Sequence, residues 1–370
     1  MFETAKGMIQ SRLGKVVWTI AAISITLARL PFWLVYYSPQ NLRQHPKWTY
    51  LQAIMHRVLR ILLYHSALME VQLPLLWEPE IQKDRFANIE PARKDIYQGV
   101  LADSNIKPAT TGGWWFPSPY SAKVDEEMRI VLYFHGGAFV VGEGRADARF
   151  AATTLAVNLK AKVFSLSYRL SSTPTCQFPA ALQDAVTAYQ YLVDLRTDAK
   201  QIIIAGDSAG GNLAIALLRY IEDNKGILPT PLAAVICSPW LDLASALETT
   251  NVDQHASNVT DYLVGNFTVW GAKAYAPAPM RVDNPYISPL NHPFFTHAQL
   301  WICVGGLEIL CADGVRFAEN MKKVKGNKVE VHIEPYASHA FLYVGNLTGF
   351  ESEAKHAIKS ANEWILETHV

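Results

Sequence analysis

Short apolar runs alternate with amphipathic stretches from about position 129 to the C-terminus. The runs at 130–134 (IVLYF), 162–168 (KVFSLSY), 201–206 (QIIIAG), 233–237 (AAVIC), 300–305 (LWICVG) and 329–333 (VEVHI) read as strands. Helical patterns fall between them: one follows Pro179, one is NLAIALLRYIED, and one covers 352–366. Nearly continuous apolar strands alternating with helices predict an α/β domain whose mostly parallel central sheet is flanked by helices on both faces. In such a sheet, chemistry gathers at the C-terminal ends of the strands.

The first hundred residues behave differently. Residues 16–28 hold no charge for 13 positions, short of the roughly 20 that cross a bilayer. Counting on through Tyr37 gives 22 residues whose one charge, Arg29, can snorkel to an interface. Trp18, Phe32, Trp33, Tyr36 and Tyr37 suit a membrane–water boundary, and no small-x-small cleavage site follows. A membrane-associated N-terminal helix is therefore expected. Lys6, Arg12 and Lys15 precede it, and Arg43 and Lys47 follow. That bias orients the N-terminus to the cytoplasm and the body to the lumen of the endoplasmic reticulum. The sequons at Asn258, Asn266 and Asn346 would permit glycosylation on that side.

Residues 48–75 repeat apolar positions at helical spacing, with Ile54, Val58, Ile61 and Leu62 on one face and Arg57 and Arg60 opposite. A lid or a second interfacial helix is expected there. Residues 78–125, polar and Pro-rich around Trp114, Trp115 and Phe116, read as early strands and loops. The chain divides into an anchor (1–40), cap helices with a linker (41–99) and the α/β domain (100–370).

Composition narrows the classes. The 33 basic residues balance 33 acidic ones without a dense basic run, so nucleic acid is not expected as a partner. Cys176, Cys237, Cys303 and Cys311 form no CxxC pair, which argues against a zinc ribbon or a small disulfide scaffold. One long-range disulfide stays open. No metal and no organic cofactor is expected.

The informative residues lie at strand ends. Gly206-Asp207-Ser208-Ala209-Gly210 fits G-x-S-x-G between a strand and a helix, where small neighbours let a sharp turn lift a serine above the sheet. His135-Gly136-Gly137-Ala138-Phe139 follows an earlier strand, and bare glycines there expose N–H groups able to face an oxyanion. Gly136, Gly137 and Ala209 are the candidate donors, with His135 holding the loop. The loop lacks the Gly-Lys-Ser/Thr of a phosphate site. A nucleophilic serine needs a base and the base needs an orienting acid. Of the 11 histidines, His339 alone lies in the loop directly after the final strand. Glu308, just beyond the 300–305 strand, is the preferred acid, with Asp313 in reserve. The chain order Ser208, Glu308, His339 is the one this architecture requires.

The segments HGGAF, YRLSSTPTCQFPAALQDA, GDSAGGNLA, SPWLDL, GGLEIL and HAF resemble the hormone-sensitive-lipase-like branch of the α/β-hydrolases. The branch includes arylacetamide deacetylases, steryl-acetate deacetylases and natural-product esterases. The resemblance covers about residues 100–366 and implies Ser208 as nucleophile, His339 as general base and an oxyanion hole at Gly136, Gly137 and Ala209. The family's acid is usually Asp before Pro-Leu; here Glu308 precedes Ile309-Leu310. A serine carboxylesterase acting on a small lipophilic ester through an acyl-serine is implied, with the anchor resembling that of membrane-bound members. Trp114, Trp115, Phe139, Trp240 and Tyr262 are candidates for an apolar pocket, and residues 40–75 and 244–290 for its cover. Two rival readings stay open. One is a pathway enzyme of secondary metabolism using the site for acyl transfer, cyclisation or dehydration. The other is a non-catalytic ligand-binding member, against which the presence of His339 argues.

Overall fold

The computed structural model describes residues 11–72, 83–121, 128–195 and 198–368. Lys6 and parts of the 78–125 segment lie outside these. Eight strands build one sheet: β1 (Phe86–Ile89), β2 (Thr111–Phe116), β3 (Arg129–Phe134), β4 (Ala161–Leu166), β5 (Ile202–Asp207), β6 (Ala233–Cys237), β7 (Gln299–Gly305) and β8 (Val329–Glu334). Their order is β1-β2-β4-β3-β5-β6-β7-β8. β2 pairs antiparallel with both β1 and β4, and every other pair is parallel.

The strands are apolar on both faces because each face has its own core. On β3, Ile130, Leu132 and Phe134 enter one cluster while Val131 and Tyr133 enter the other. Ile202 and Ile204 of β5 likewise oppose Ile203 and Ala205. Alternate side chains point to opposite faces of a strand, so two covered faces demand an uninterrupted apolar run. The first face is covered by α4 (Ala180–Asp194), α5 (Ala209–Asp223) and α8 (Cys311–Lys322). The second is covered by α3 (Arg149–Asn158), α9 (Phe341–Thr348) and α10 (Glu351–Thr368). Each fully buried Ile, Leu or Phe contributes roughly 1.5–3 kcal/mol of transfer free energy. Register brings the ends of the parallel strands level: Phe134 pairs with Gly206, Asp207 with Cys237, Cys237 with Cys303, and Gly305 with Glu334. The residues that follow these ends share one rim.

Helix α1 (Arg12–Tyr36) runs unbroken through Pro31 and exposes Leu13, Val17, Ile20, Leu27 and Val35. It is long and apolar enough to cross a membrane, a test that an N-terminal signal sequence also passes. Helix α2 (Tyr50–Met69) starts with a reciprocal cap, in which the Gln52 N–H donates to Thr49 Oγ1 and the Thr49 N–H donates to Gln52 Oε1.

The expected faces of α2 need correction. Ile54 and Val58 pack against α1, but Leu62 is 52% exposed. Arg60, expected to face outward, turns into the body. Its guanidinium donates to the carbonyls of Asn258, Asp261 and Leu263 and to Asn258 Oδ1. The helix is clasped between α1 and the body, so it presents two inward faces where a one-sided pattern foresees one. The second carries Gln52, His56, Leu59 and Leu63. Two short elements complete the cap beside it, α6 (Thr249–Asp253) and α7 (Gly265–Tyr275).

All four cysteines are free thiols. Asn258 is turned into the protein: Nδ2 donates to the Val252 carbonyl and Oδ1 accepts from Arg60. Asn266 and Asn346 are exposed.

Candidate active site

At the end of β5 the chain folds back through Ser208, whose φ of 53° and ψ of −117° lie where an L-residue is strained by about 1–3 kcal/mol. The turn is held open at both ends, because the Ser208 N–H donates to the Cys237 carbonyl and its own carbonyl accepts from the Trp240 N–H. Two glycines are steric necessities. A Cβ on Gly206 would strike the Gly210 carbonyl, and one on Gly210 would strike the Phe134 carbonyl. Ser208 therefore stands on the rim with α5 starting directly behind it.

His339 follows β8, and its ring reaches across the rim. Nε2 lies 3.0 Å from Ser208 Oγ, and Nδ1 lies 3.6 Å from Glu308 Oε2. The second separation is an ion-pair distance rather than a formed hydrogen bond; such contacts are often long in the free enzyme. Glu308 is 1% exposed and His339 2%. Burial works against a charged ring, yet Glu308, Asp261 and Asp207 outweigh it and hold the His339 pKa above 6.5. Burial also raises the Glu308 carboxyl, with His339 and the nearby Ser238 hydroxyl pulling it back. The Glu308 carboxylate beside Nδ1 favours the tautomer with Nδ1–H toward it and the Nε2 lone pair toward the serine.

Opposite the serine, the Gly136-Gly137 loop leaves β3. Gly137 has φ +115°, and a Cβ on Gly136 would lie 3.4 Å from the Ser208 Cβ. Among the described residues, no group accepts the N–H of Gly136 or Gly137, and Ala209 begins a helix, where N–H groups lack intrahelical partners. His135 holds this loop from within. It is fully buried, donates Nδ1–H to the Gly136 carbonyl at 2.7 Å and stacks on Tyr168. Burial takes its pKa down to about 4, so it stays neutral.

A cavity of about 260 Å³ opens over Ser208 and His339, walled by Leu59, Leu63, Val141, Leu263, Phe267 and Val344. A larger groove of about 840 Å³ lies between α1 and α2 but contains none of Ser208, Glu308 or His339. Of the five aromatic candidates for the pocket, Tyr262 lines the cavity and also donates its hydroxyl to the His339 carbonyl. The other four lie elsewhere. Trp114 packs with Phe86 and under Arg145, Trp115 with Tyr120 and Phe164, Phe139 stacks on Tyr275, and Trp240 is core behind the serine turn. Their strand and turn positions point them into the two cores. Asp313 sits in the first turn of α8 and pairs with Arg316 at 3.9 Å, whereas the carboxylate beside His339 is Glu308.

Several residues that sequence reasoning passed over hold this arrangement. Asp261 accepts the Ile309 N–H at 2.7 Å and the Leu263 N–H at 3.0 Å, so one buried carboxylate ties the cap to the loop of Glu308. From α2, His56 donates Nδ1–H to its own helix at the Gln52 carbonyl, which leaves Nε2 to accept the hydroxyl of Ser338 at 2.6 Å. Burial lowers the His56 pKa to about 4, consistent with that neutral tautomer. Trp48 Nε1 donates to the Tyr336 carbonyl and Gln52 Nε2 to the Gly349 carbonyl. Three side chains from the N-terminal segment thus grip the chain on either side of His339. No local motif marks them; a histidine inside an apolar helix face was the one available signal.

Comparison with known proteins identifies the family. A family model described as alpha/beta hydrolase fold matches residues 131–343. An esterase of Acinetobacter venetianus is 30% identical over 243 residues, covering 64% of this chain and 74% of that protein. An acetyl-hydrolase of Streptomyces hygroscopicus is 40% identical over 119 residues, 32% of this chain and 38% of that enzyme, so the chain spans well under half of this relative. Among solved structures, a hormone-sensitive lipase from a metagenome library is 31% identical with a TM-score of 0.58, covering 70% of this chain and 82% of that one. The chain belongs to the α/β-hydrolase fold family, in its hormone-sensitive-lipase-like branch.

Two outcomes follow from the His339 environment. With His339 as the expected general base, a neutral ring is the form able to accept the Ser208 proton, so labelling of Ser208 by a fluorophosphonate is expected to rise with pH through the His339 pKa. The half-maximum falls above pH 6.5. Glu308→Gln removes an anion that stabilises the charged ring and moves the half-maximum to lower pH; an unmoved profile contradicts the assignment. For His56, replacement by Ala lowers the maximal labelling rate roughly ten- to a hundredfold while the probe's binding constant stays put. His56→Gln, which keeps an acceptor for Ser338, recovers part of the rate. Loss of labelled amplitude without loss of rate would mean that His56 only supports folding.

Proposed function

We propose that the chain hydrolyses carboxylic esters through an acyl-serine on Ser208, with His339 as general base, Glu308 as orienting acid, and the N–H groups of Gly136, Gly137 and Ala209 as oxyanion donors. The observation that carries this reading is the 3.0 Å approach of Ser208 Oγ to His339 Nε2 beside N–H groups left without acceptors. Relatives named as an esterase and an acetyl-hydrolase assign the class of reaction, carboxylic-ester hydrolysis.

The steps follow from the geometry. As Ser208 Oγ bonds to the ester carbonyl carbon, its proton passes to His339 Nε2. Negative charge develops on the carbonyl oxygen and meets the N–H groups of residues 136, 137 and 209. The imidazolium is stabilised by Glu308 and returns its proton to the departing alcohol oxygen as the ester bond breaks. Water then attacks the acyl-serine by the same route in reverse. Each oxyanion donor typically contributes about 10²–10³ in rate.

The substrate reading rests on the cavity. At about 260 Å³ with mostly apolar walls, it suits a short acyl group, acetyl above all, on a lipophilic alcohol that extends under α2 and α7. The exposed apolar face of α1 supports membrane anchoring, where such alcohols partition. Arg12 and Lys15 ahead of that face, with Asn346 exposed on the body, support a lumenal body at the endoplasmic reticulum.

Ser208→Ala lowers hydrolysis of 4-nitrophenyl acetate at least about a thousandfold without changing the fold. In the native enzyme acetate esters are cut faster than decanoates. Retained hydrolysis in the variant sinks the nucleophile assignment, and a preference for decanoate sinks the acyl-group reading. In intact microsomes, added protease leaves the body whole until detergent is supplied; digestion without detergent places the body on the cytoplasmic side.

A further inference from the structure

A second cluster of chemically capable side chains lies on β8 and α10, outside the cavity over Ser208. His332 and Glu334 are two apart on β8, so both project from the same face of the sheet. His356 comes to meet them from α10. His332 Nε2 is 2.8 Å and His356 Nδ1 2.7 Å from the same carboxylate oxygen, Glu334 Oε1. All three atoms lie within 4.8 Å of one another.

We propose that His332, Glu334 and His356 form a binding site for a divalent transition cation of the Zn²⁺ class. Two imidazole nitrogens and one carboxylate oxygen are a donor set suited to Zn²⁺, Cu²⁺ or Ni²⁺ and poorly suited to Mg²⁺ or Ca²⁺. Ligand atoms around a tetrahedral Zn²⁺ stand roughly 3.3 Å apart. The nitrogen–oxygen contacts therefore need to open by about half an ångström, within side-chain rotation. The convergence of both rings on one oxygen is the arrangement that a cation at the centre would relax.

The surroundings fit a site that is both held and reachable. Trp301 stacks on His332, with centroids 5.5 Å apart, and fixes its plane. Glu334 is buried at 6% exposure, and its main-chain carbonyl accepts the N–H groups of Gly306 and Ala337. Its oxygen Oε1 already faces both rings, so the carboxylate ligand is in place. The His356 side chain is 65% exposed and gives the cation its entry.

The test uses tag-free full-length protein in detergent, stripped with chelator and titrated with Zn²⁺ by calorimetry near neutral pH. The expected result is one Zn²⁺ per chain and a raised Tm. Affinity should drop at least roughly tenfold in His356→Ala and in Glu334→Gln. His356 is exposed, so its variant keeps the fold, and an unchanged Tm without metal verifies that. Bound Cu²⁺ should show nitrogen hyperfine structure that His332→Gln diminishes. No saturable binding, equal binding of Mg²⁺, or Zn²⁺ binding that survives in the His332→Gln/His356→Gln double variant would overturn the proposal. None of these readouts depends on ester hydrolysis, so the two readings stand or fall separately.

Discussion

Burying a carboxylate costs several kcal/mol unless an opposite charge or donors compensate it. Glu308 lies at 1% exposure, with the His339 ring as the nearby group able to carry positive charge. That pairing is what the rest of the structure serves. It makes a protonated ring acceptable in a dry interior, which is what the proposed proton transfer from Ser208 requires. Every other feature of the site either brings these three groups together or holds them apart from water.

The holding is done from three directions. The sheet levels its strand ends, so serine, acid and histidine start from a common rim. Asp261 clamps the loop of Glu308 to the cap through two N–H donors. Helix α2 then spans both halves, with His56 on the neighbour of His339 and Arg60 on the carbonyls around Asp261. The N-terminal segment is thus part of the machinery that sets the histidine, and its Leu59 and Leu63 form a wall of the cavity. Helix α1 packs on α2, so that wall lies close to wherever α1 lies.

Much of this was legible in the chain. The six parallel strands follow from apolar runs that only a doubly covered sheet produces. The turn at Ser208 and the Gly136-Gly137 loop are written locally, because glycine is required by contacts a few residues away. His339 was legible from position, as the histidine after the last strand. The inward turn of Arg60, the role of His56 and the clamp at Asp261 were not, because each depends on partners roughly 50 to 300 positions distant that no local pattern encodes. Of the five aromatic candidates, the four that miss the cavity do so for a related reason. Trp115 and Phe139 lie near the rim in sequence, but a strand's alternation and a left-handed turn send them into the core. Asn258 looked like a surface sequon until its amide proved to be used inside the cap.

The central claim is that the acyl group passes through Ser208 under the control of His339. It is tested most directly by quenching the full-length enzyme with acid during turnover of an acetate ester and mapping acetyl groups by peptide mass spectrometry. The account predicts one acetyl group, on the peptide holding Ser208, which disappears as substrate is exhausted. It predicts none in His339→Ala over the same interval. Acetyl on another residue that turns over at the catalytic rate, or steady hydrolysis with Ser208 never acylated, would contradict it.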